Sequence, residues 1–417
     1  MSLIFRLQAV ARTIRLKILR LAKAKLIALR DRIDAFVAAK SSSSGKPPVD
    51  TKLPDINYTL HDSRSARLRQ LPQFSGTMLS AGCAGRWYFD WIEARTGHQG
   101  RHIGIEFYSP KPADLPANVE WIANTAGDMN AVANATCDVV FSGENLEHLW
   151  PQDVVGFFLE SHRVLKQGGL LIVDSPNRLI TEPLVWSHPE HTVEVTPAEA
   201  RRLAELAGFE VTTVKGIWLC RDPRTGRMLP LDPAIVDPDF TYAERLLTAE
   251  NDPDNSFIWW LEARKASEPR PTELKAEMDR IFAAAWPERQ RRYLSLAGDR
   301  VQVGDQEAIQ CPAGTSGVMV YGPYMPLESG DYTASFHLRV SDPTDSGNAV
   351  RCDILGDQGR VIVAQDYSGQ DIQAAAGQVS LAFTLKDLEF GIQARCISRG
   401  RIKVECDLPI RFSRASS

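Results

Sequence analysis

The sequence predicts an α/β protein: a doubly wound, mostly parallel sheet, preceded by one basic helix and followed by an antiparallel β-sandwich. Three stretches predict it. Between Cys137 and Asn177 the chain reads as strand, loop, helix, Gly-Gly turn, strand. From about Val301 onward, apolar residues alternate with polar ones at period two. Residues 3–39 instead repeat apolar positions at steps of three and four.

In the central stretch, Val139, Val140 and Phe141 form a short apolar run suited to a strand buried on both faces. Val154, Val155, Phe158, Leu159, His162 and Leu165 recur at helical spacing. Lys166 and Gly168-Gly169 then supply a C-terminal cation and a helix stop. Leu170 to Val173 is the return strand. Two parallel strands joined by an amphipathic helix make a βαβ unit, whose crossover is nearly always right-handed. Ligands of such sheets bind beyond the carboxyl ends of the strands, where Ser142–His148 and Asp174–Asn177 lie.

A length of 417 residues suggests two or three domains. With 44% apolar and 24% charged residues, the composition is that of a globular protein with material for a core. A net charge of −4 argues neither for nor against nucleic acid, but the central domain shows no basic stripe with interleaved aromatics and no Pro-Pro-Tyr type base-holding motif, which disfavours a nucleic-acid substrate. Seven cysteines without a C-x-x-C pair read as free thiols in a reducing compartment. No run of about 18 apolar residues exists, so no transmembrane helix is expected. The expected location is the cytoplasm, with a peripheral place at the inner membrane if the first helix binds lipid.

That helix carries Arg6, Arg12, Arg15, Lys17, Arg20, Lys23, Lys25 and Arg30 before its first acid, Asp31. Charge and apolar residues interleave, which a cleavable signal does not show. An anionic lipid surface and a partner helix, including a second copy of this chain in a coiled coil, both fit. Ser41–Pro48 is a linker by composition. The expected domains are therefore 1–48 (helix and linker), 49–265 (parallel sheet, with a lead-in and a late insert), 266–297 (helical connector) and 298–417 (sandwich).

Within the second, Thr77–Ala81 is a first strand and Gly82-Cys83-Ala84-Gly85 the turn after it, where backbone can approach a ligand closely. Ile103-Gly104-Ile105-Glu106 is a second strand ending in an acid, able to accept hydrogen bonds from both hydroxyls of a ribose. Trp121–Ala123 is a third, followed by Asp128 and Met129. Thr196, Pro197 and Glu199 make a capping box. The helix they open ends at Gly208, before a strand from Phe209. Phe257–Leu261 is a late strand or a wall of the pocket.

These residues resemble the class I S-adenosylmethionine-dependent methyltransferases, over roughly residues 76 to 220. Glu144, Leu146, Glu147 and His148 match an E-x-L-E-H loop. Arg163–Lys166 with Gly168-Gly169 match R-V-L-K-P-G-G, with Gln167 at the proline. His191, Thr196, Glu199, Ala207, Gly208 and Phe209 match a further stretch. Ser80, Gly82, Ala84 and Arg86 stand where the family has D-x-G-x-G-x-G, three of its positions being altered. The resemblance implies a Rossmann-like, seven-stranded sheet and S-adenosylmethionine as cofactor. It implies that Ser80, Gly82, Cys83, Ala84 and Gly85 shelter the methionine part. Glu106 and Phe107 would meet the ribose, Asp128 and Met129 the adenine, and Ser142 and Glu144 would complete the site.

Methyl transfer from a sulfonium is an in-line displacement in which the protein mainly positions donor and acceptor. An oxygen acceptor gains from a base, for which His148 and His191 are the candidates, with Glu190 or Glu144 as orienter. His188, Arg178 and Asn177 are candidate acceptor contacts. No metal is expected, because His188 and His191 have no cluster of carboxylates beside them in the chain.

The sandwich segment Tyr321-Gly322-Pro323-Tyr324 … Leu327 … Gly330-Asp331-Tyr332 resembles jelly-roll modules found beside polysaccharide-modifying enzymes. Tyr321, Tyr324, Asp353 and Arg395 are its candidate sugar contacts. A packing or homo-oligomer module fits equally. Three functions stay open at this point. One is O-methylation of a sugar or glycan in surface polysaccharide biosynthesis. Another is methylation of some other small molecule or lipid. The third is a non-catalytic glycan-binding scaffold on a degenerate fold.

Overall fold

The computed structural model describes residues 55–71, 75–97 and 100–415. The expected first helix (3–39) and the Ser41–Pro48 linker lie outside the described residues. The order begins with α1 (Ile56–Gln70), β1 (Met78–Ala81), α2 (Arg86–Thr96), β2 (His102–Ile105), β3 (Val119–Ile122), β4 (Cys137–Gly143), α3 (Pro151–Val164) and β5 (Leu165–Pro176). It continues through α4 (Arg178–Thr181), α5 (Pro197–Leu206), β6 (Phe209–Leu219), α6 (Tyr242–Ala249), β7 (Ser256–Lys265) and α7 (Pro271–Arg289).

The seven strands lie in the order β3-β2-β1-β4-β5-β7-β6. All neighbours are parallel except β7, which runs antiparallel to both β5 and β6. The late strand Phe257–Leu261 thus completes the sheet from inside it. Its residues need both faces covered: Phe257 through Leu261 are all buried, Trp259 facing one apolar cluster and Trp260 the other. Chain direction along the sheet edge switches between β1 and β4, and the pairing Ser80↔Phe141 sets residues 82–85 beside residues 144–148. A crevice at such a switch is where ligands of open α/β sheets bind.

The lead-in forms α1, which starts at Ile56 because Asp55 caps it by accepting the Tyr58 N–H at 2.8 Å. Gly168-Gly169 do not stop α3, which ends at Val164. They lie inside β5, in an irregularity where pairing jumps from Cys137↔Leu165 to Val139↔Leu170. Lys166 reaches across it to both oxygens of Asp138 at 2.8 and 2.9 Å.

The C-terminal module comprises β8 (Asp299–Val303), β9 (Gln306–Cys311), β10 (Ser316–Leu327), β11 (Gly330–Val340), β12 (Asn348–Leu355), β13 (Val361–Ser368), the short α8 (Gly369–Ala374), β14 (Gln378–Leu385), β15 (Glu389–Arg399), β16 (Val404–Asp407) and β17 (Arg411–Arg414). A four-stranded sheet, β10-β15-β12-β13, faces a six-stranded one, β14-β11-β16-β9-β8 with β17 beside β11. The period-two residues Tyr332, Ala334, Phe336 and Leu338 fill the core between them with Val379, Leu381 and Phe383. All seven cysteines are free and buried. Among the described residues no helix is long and apolar enough to cross a membrane.

Candidate functional site

A cavity of about 310 Å³ opens at the carboxyl ends of β1, β2 and β4. Its size falls in the range of small-molecule sites. Gly82, Glu106 and Phe107 form its floor, and Asn124, Thr125, Ala126 and Asp153 one wall. Asn145, His148 and Trp150 form the opposite wall, while Glu328, Ser329 and Leu388 reach in from the β-module.

Gly82 has φ +74°, and a side chain there would run into Asn145 at 2.4 Å. Glycine is what lets this turn pass so close to the loop after β4. Glu106, 7% exposed, is held rigidly: Oε2 accepts the Ala84 N–H at 3.0 Å, and Oε1 accepts those of Tyr108 and Ser109 at 2.8 Å each. Two carboxylate oxygens offer about four acceptor positions, so Oε2 keeps a lone pair for a ligand hydroxyl. The glycine turn and the fixed carboxylate fit the nucleoside and amino-acid ends of S-adenosylmethionine. Phe107 adds an exposed aromatic face.

The other expected cofactor contacts separate from these three. Ser80 is fully buried, and its hydroxyl pairs with His102 Nε2 at 2.8 Å, so it points into the sheet. Cys83 is buried against Gly104, where burial pushes its thiol far up and makes it inert. Ala84 contributes its N–H through Glu106, and Gly85 caps α2. Asp128 and Met129 are displaced from the cavity. The Asp128 carboxylate accepts the Asn130 N–H at 3.1 Å, and Met129 is buried with its N–H given to Glu160. Asn124, Thr125 and Ala126 stand at the wall instead. Ser142 is buried on Asn145. Glu144 turns away, in an ion pair with Arg64 of α1. Arg64 also donates to Asp174 Oδ1 at 3.0 Å; burial nevertheless pushes the Asp174 carboxyl up to about 6.

Two expected acceptor contacts prove structural. Asn177, fully buried, donates to the carbonyls of Pro253, Asp254 and Ser256 while its oxygen caps α4. Arg178 is consumed by Glu199 and the Glu194 carbonyl. The histidines do converge. The rings of His148, His188 and His191 lie 4.4 to 5.8 Å apart, with Trp186 behind them. Glu190 sits at the rim, its carboxylate 4.0 Å from His148 Nδ1. Burial holds all three imidazoles below their usual pKa, His191 at about 4, which keeps them neutral at neutral pH.

Sequence reasoning missed how this cluster is held. His191 Nδ1 lies 3.1 Å from Glu194 Oε1, and Glu194 is fully buried against Arg292, which reaches Oε2 at 3.0 Å. Arg289, at the end of α7, donates to the carbonyls of Pro323 (2.7 Å) and His188 (2.8 Å), joining module to loop. Buried arginines three apart on a connector were the available signal. Glu147, from the loop after β4, also faces the histidines, with Oε1 3.9 Å from His191 Nε2. The carboxylate missing beside them in the chain arrives through the fold. In the module, Asp353 is fully buried and clamped by Arg395 at 2.8 Å through both oxygens. That pair is a strut and not an open sugar contact.

A methyltransferase-domain family model matches residues 79–173. The chain is 33% identical over 147 residues to a "Probable S-adenosylmethionine-dependent methyltransferase" of Mycolicibacterium smegmatis, a match covering 34% of this chain and 54% of that one. This chain thus spans about half the length of that relative. A similarly named protein of Mycobacterium tuberculosis is 28% identical over 204 residues, covering 43% of this chain and 68% of that one. Among solved structures, a SAM-dependent methyltransferase from Archaeoglobus fulgidus aligns over 49% of this chain and 94% of its own, with 18% identity and a TM-score of 0.36. In its motifs, its strand order and the family match over residues 79–173, the parallel-sheet domain of this chain is a methyltransferase-type domain similar to the class I S-adenosylmethionine-dependent methyltransferases.

Proposed function

We propose that the chain methylates a hydroxyl oxygen of a sugar or glycan, as a step in building a surface polysaccharide. The observation that carries this reading is the composition of the cavity wall. Glu328, Ser329 and Leu388 of the β-module line the same space as Glu106 and His148. Phe390 packs edge-on against Tyr108 at 5.5 Å and keeps the module there. A module of a type found beside polysaccharide-modifying enzymes thereby becomes part of the acceptor site.

S-adenosylmethionine, when bound, supplies an electrophilic methyl group. The chain's own residues position and exclude. Glu106 takes a ribose hydroxyl on its remaining lone pair, and Phe107 covers an apolar face. Leu388 and Trp150 keep water from the reacting centre. The acceptor hydroxyl faces the neutral histidine cluster, on the side where its proton has to leave.

The test is transfer of labelled methyl from S-adenosylmethionine to nucleotide sugars and glycan fragments, compared with lipids and phenols. Label appearing only on the latter sinks the sugar reading. Leu388→Arg, which places a charge in the shared wall, is expected to raise the acceptor KM about tenfold. S-adenosylhomocysteine affinity, measured by calorimetry, should stay within about twofold.

A further inference from the structure

We propose that Glu147, His148 and His191 form a binding site for one divalent transition-metal cation beside the cavity. One ligand atom from each lies within 4.8 Å of the other two. Glu147 is 1% exposed, yet neither carboxylate oxygen has a hydrogen-bond partner. The Ser175 hydroxyl faces it without making a bond of proper geometry.

Both histidines are preset as ligands. The Glu194 carboxylate accepts from His191 Nδ1, so that nitrogen carries the proton and Nε2 presents its lone pair towards Glu147. His148 Nδ1 lies 3.2 Å from the Glu190 carbonyl, which can only accept, so its Nε2 is free as well. A second oxygen acceptor behind each imidazole is the usual arrangement of metal-bound histidine. The 3.9 Å between His191 Nε2 and Glu147 Oε1 is too long for a hydrogen bond. It is about half an ångström longer than the separation of two donors that each stand about 2.1 Å from one tetrahedral ion, so an ion would draw the two side chains together. Two imidazoles and one carboxylate favour zinc, manganese, iron or cobalt over magnesium or calcium. Because His148 also lines the cavity, the ion would stand at the cavity's edge, within reach of an acceptor.

Cation binding itself does not depend on the methyl-transfer reading; its role does. In that role an acceptor hydroxyl on the ion becomes more acidic and loses its proton to water. Its oxygen lone pair then forms the new C–O bond as the C–S bond breaks, releasing S-adenosylhomocysteine.

The experiment is calorimetric titration of the chelator-stripped full chain with Zn²⁺, Mn²⁺ and Co²⁺, with visible absorption recorded for Co²⁺. One saturable equivalent is expected, together with nitrogen-ligated Co²⁺ bands. Glu147→Gln and His191→Asn should each weaken binding at least about tenfold, and Glu194→Gln, a positioning change, by about 10–100-fold. S-adenosylhomocysteine titration and thermal melting of every variant report the fold and the cofactor site separately. The proposal is overturned by absence of a saturable equivalent, or by unchanged affinity in folded Glu147→Gln or His191→Asn. Failure of S-adenosylhomocysteine alone to bind would strike the methyltransferase reading and leave the cation site standing.

Discussion

Glu106→Ala is expected to weaken S-adenosylhomocysteine binding by about 10–100-fold. A hydrogen bond to a charged group is worth about 1.5–3 kcal/mol, and the free lone pair of Oε2 takes one ribose hydroxyl. The variant also frees the N–H groups of Ala84, Tyr108 and Ser109, which the carboxylate now holds. The turn after β1 and the loop carrying Phe107 would lose their common anchor. Glu106→Gln keeps the shape but only one acceptor oxygen, so an intermediate loss is expected. Calorimetry on the purified chain reads both. Unchanged affinity in Glu106→Ala would mean that the nucleoside sits elsewhere.

The second large effect is on stability. Arg292→Ala strands Glu194, a carboxylate with 1% side-chain exposure, without its cation. Breaking such a pair costs about 3–5 kcal/mol. At about 2–4 °C per kcal/mol for a chain of more than 150 residues, the melting temperature should fall by about 6–20 °C. The effect is pH-dependent, with a definite sign. Arg292 holds the Glu194 carboxyl well below the usual carboxylate range against the opposing effect of burial. A depressed carboxyl pKa stabilises above the unfolded value, near 4.5, and that contribution is lost as pH falls through the folded value. Without Arg292, burial acts unopposed and the carboxyl takes up a proton more readily. The deficit of the variant should therefore be largest at neutral pH and shrink below about pH 4.5. Denaturant melts of both proteins across that range check it. A deficit independent of pH would assign the loss to packing alone. Arg292→Ala with Glu194→Gln should recover part of the stability, since no bare charge remains.

What the sequence makes legible in the site depends on how local each contact is. Gly82, Glu106 and Phe107 follow directly from strand ends, whose register is set by the apolar runs in β1 and β2. Their position at the cavity is therefore implied once those strands are recognised. Ser80 fails for a reason invisible in the motif: its neighbour across the sheet, His102, supplies a buried partner for the hydroxyl. Asp128 and Met129 fail because the loop after β3 is fastened from α3. Glu160 takes the Met129 N–H, and Arg163 donates to the Met129 carbonyl at 2.8 Å. Asn177 and Arg178 look like acceptor contacts from their place after β5. Asn177 is instead spent on the backbone around α4 and β7, and Arg178 on the Glu194 carbonyl and the Glu199 carboxylate at the start of α5.

The order of elements, the parallel sheet and the sandwich follow from the chain alone, and the cofactor class from the resemblance of its motifs to a known family. Periodicity, caps and turn residues are short-range signals, and burying apolar runs leaves few ways to stack them. Only the tertiary structure decided that the module walls the cavity, and that Glu147 meets His148 and His191. Contacts between distant segments follow from packing, and a carboxylate 44 positions from its imidazole leaves no periodic trace in the sequence.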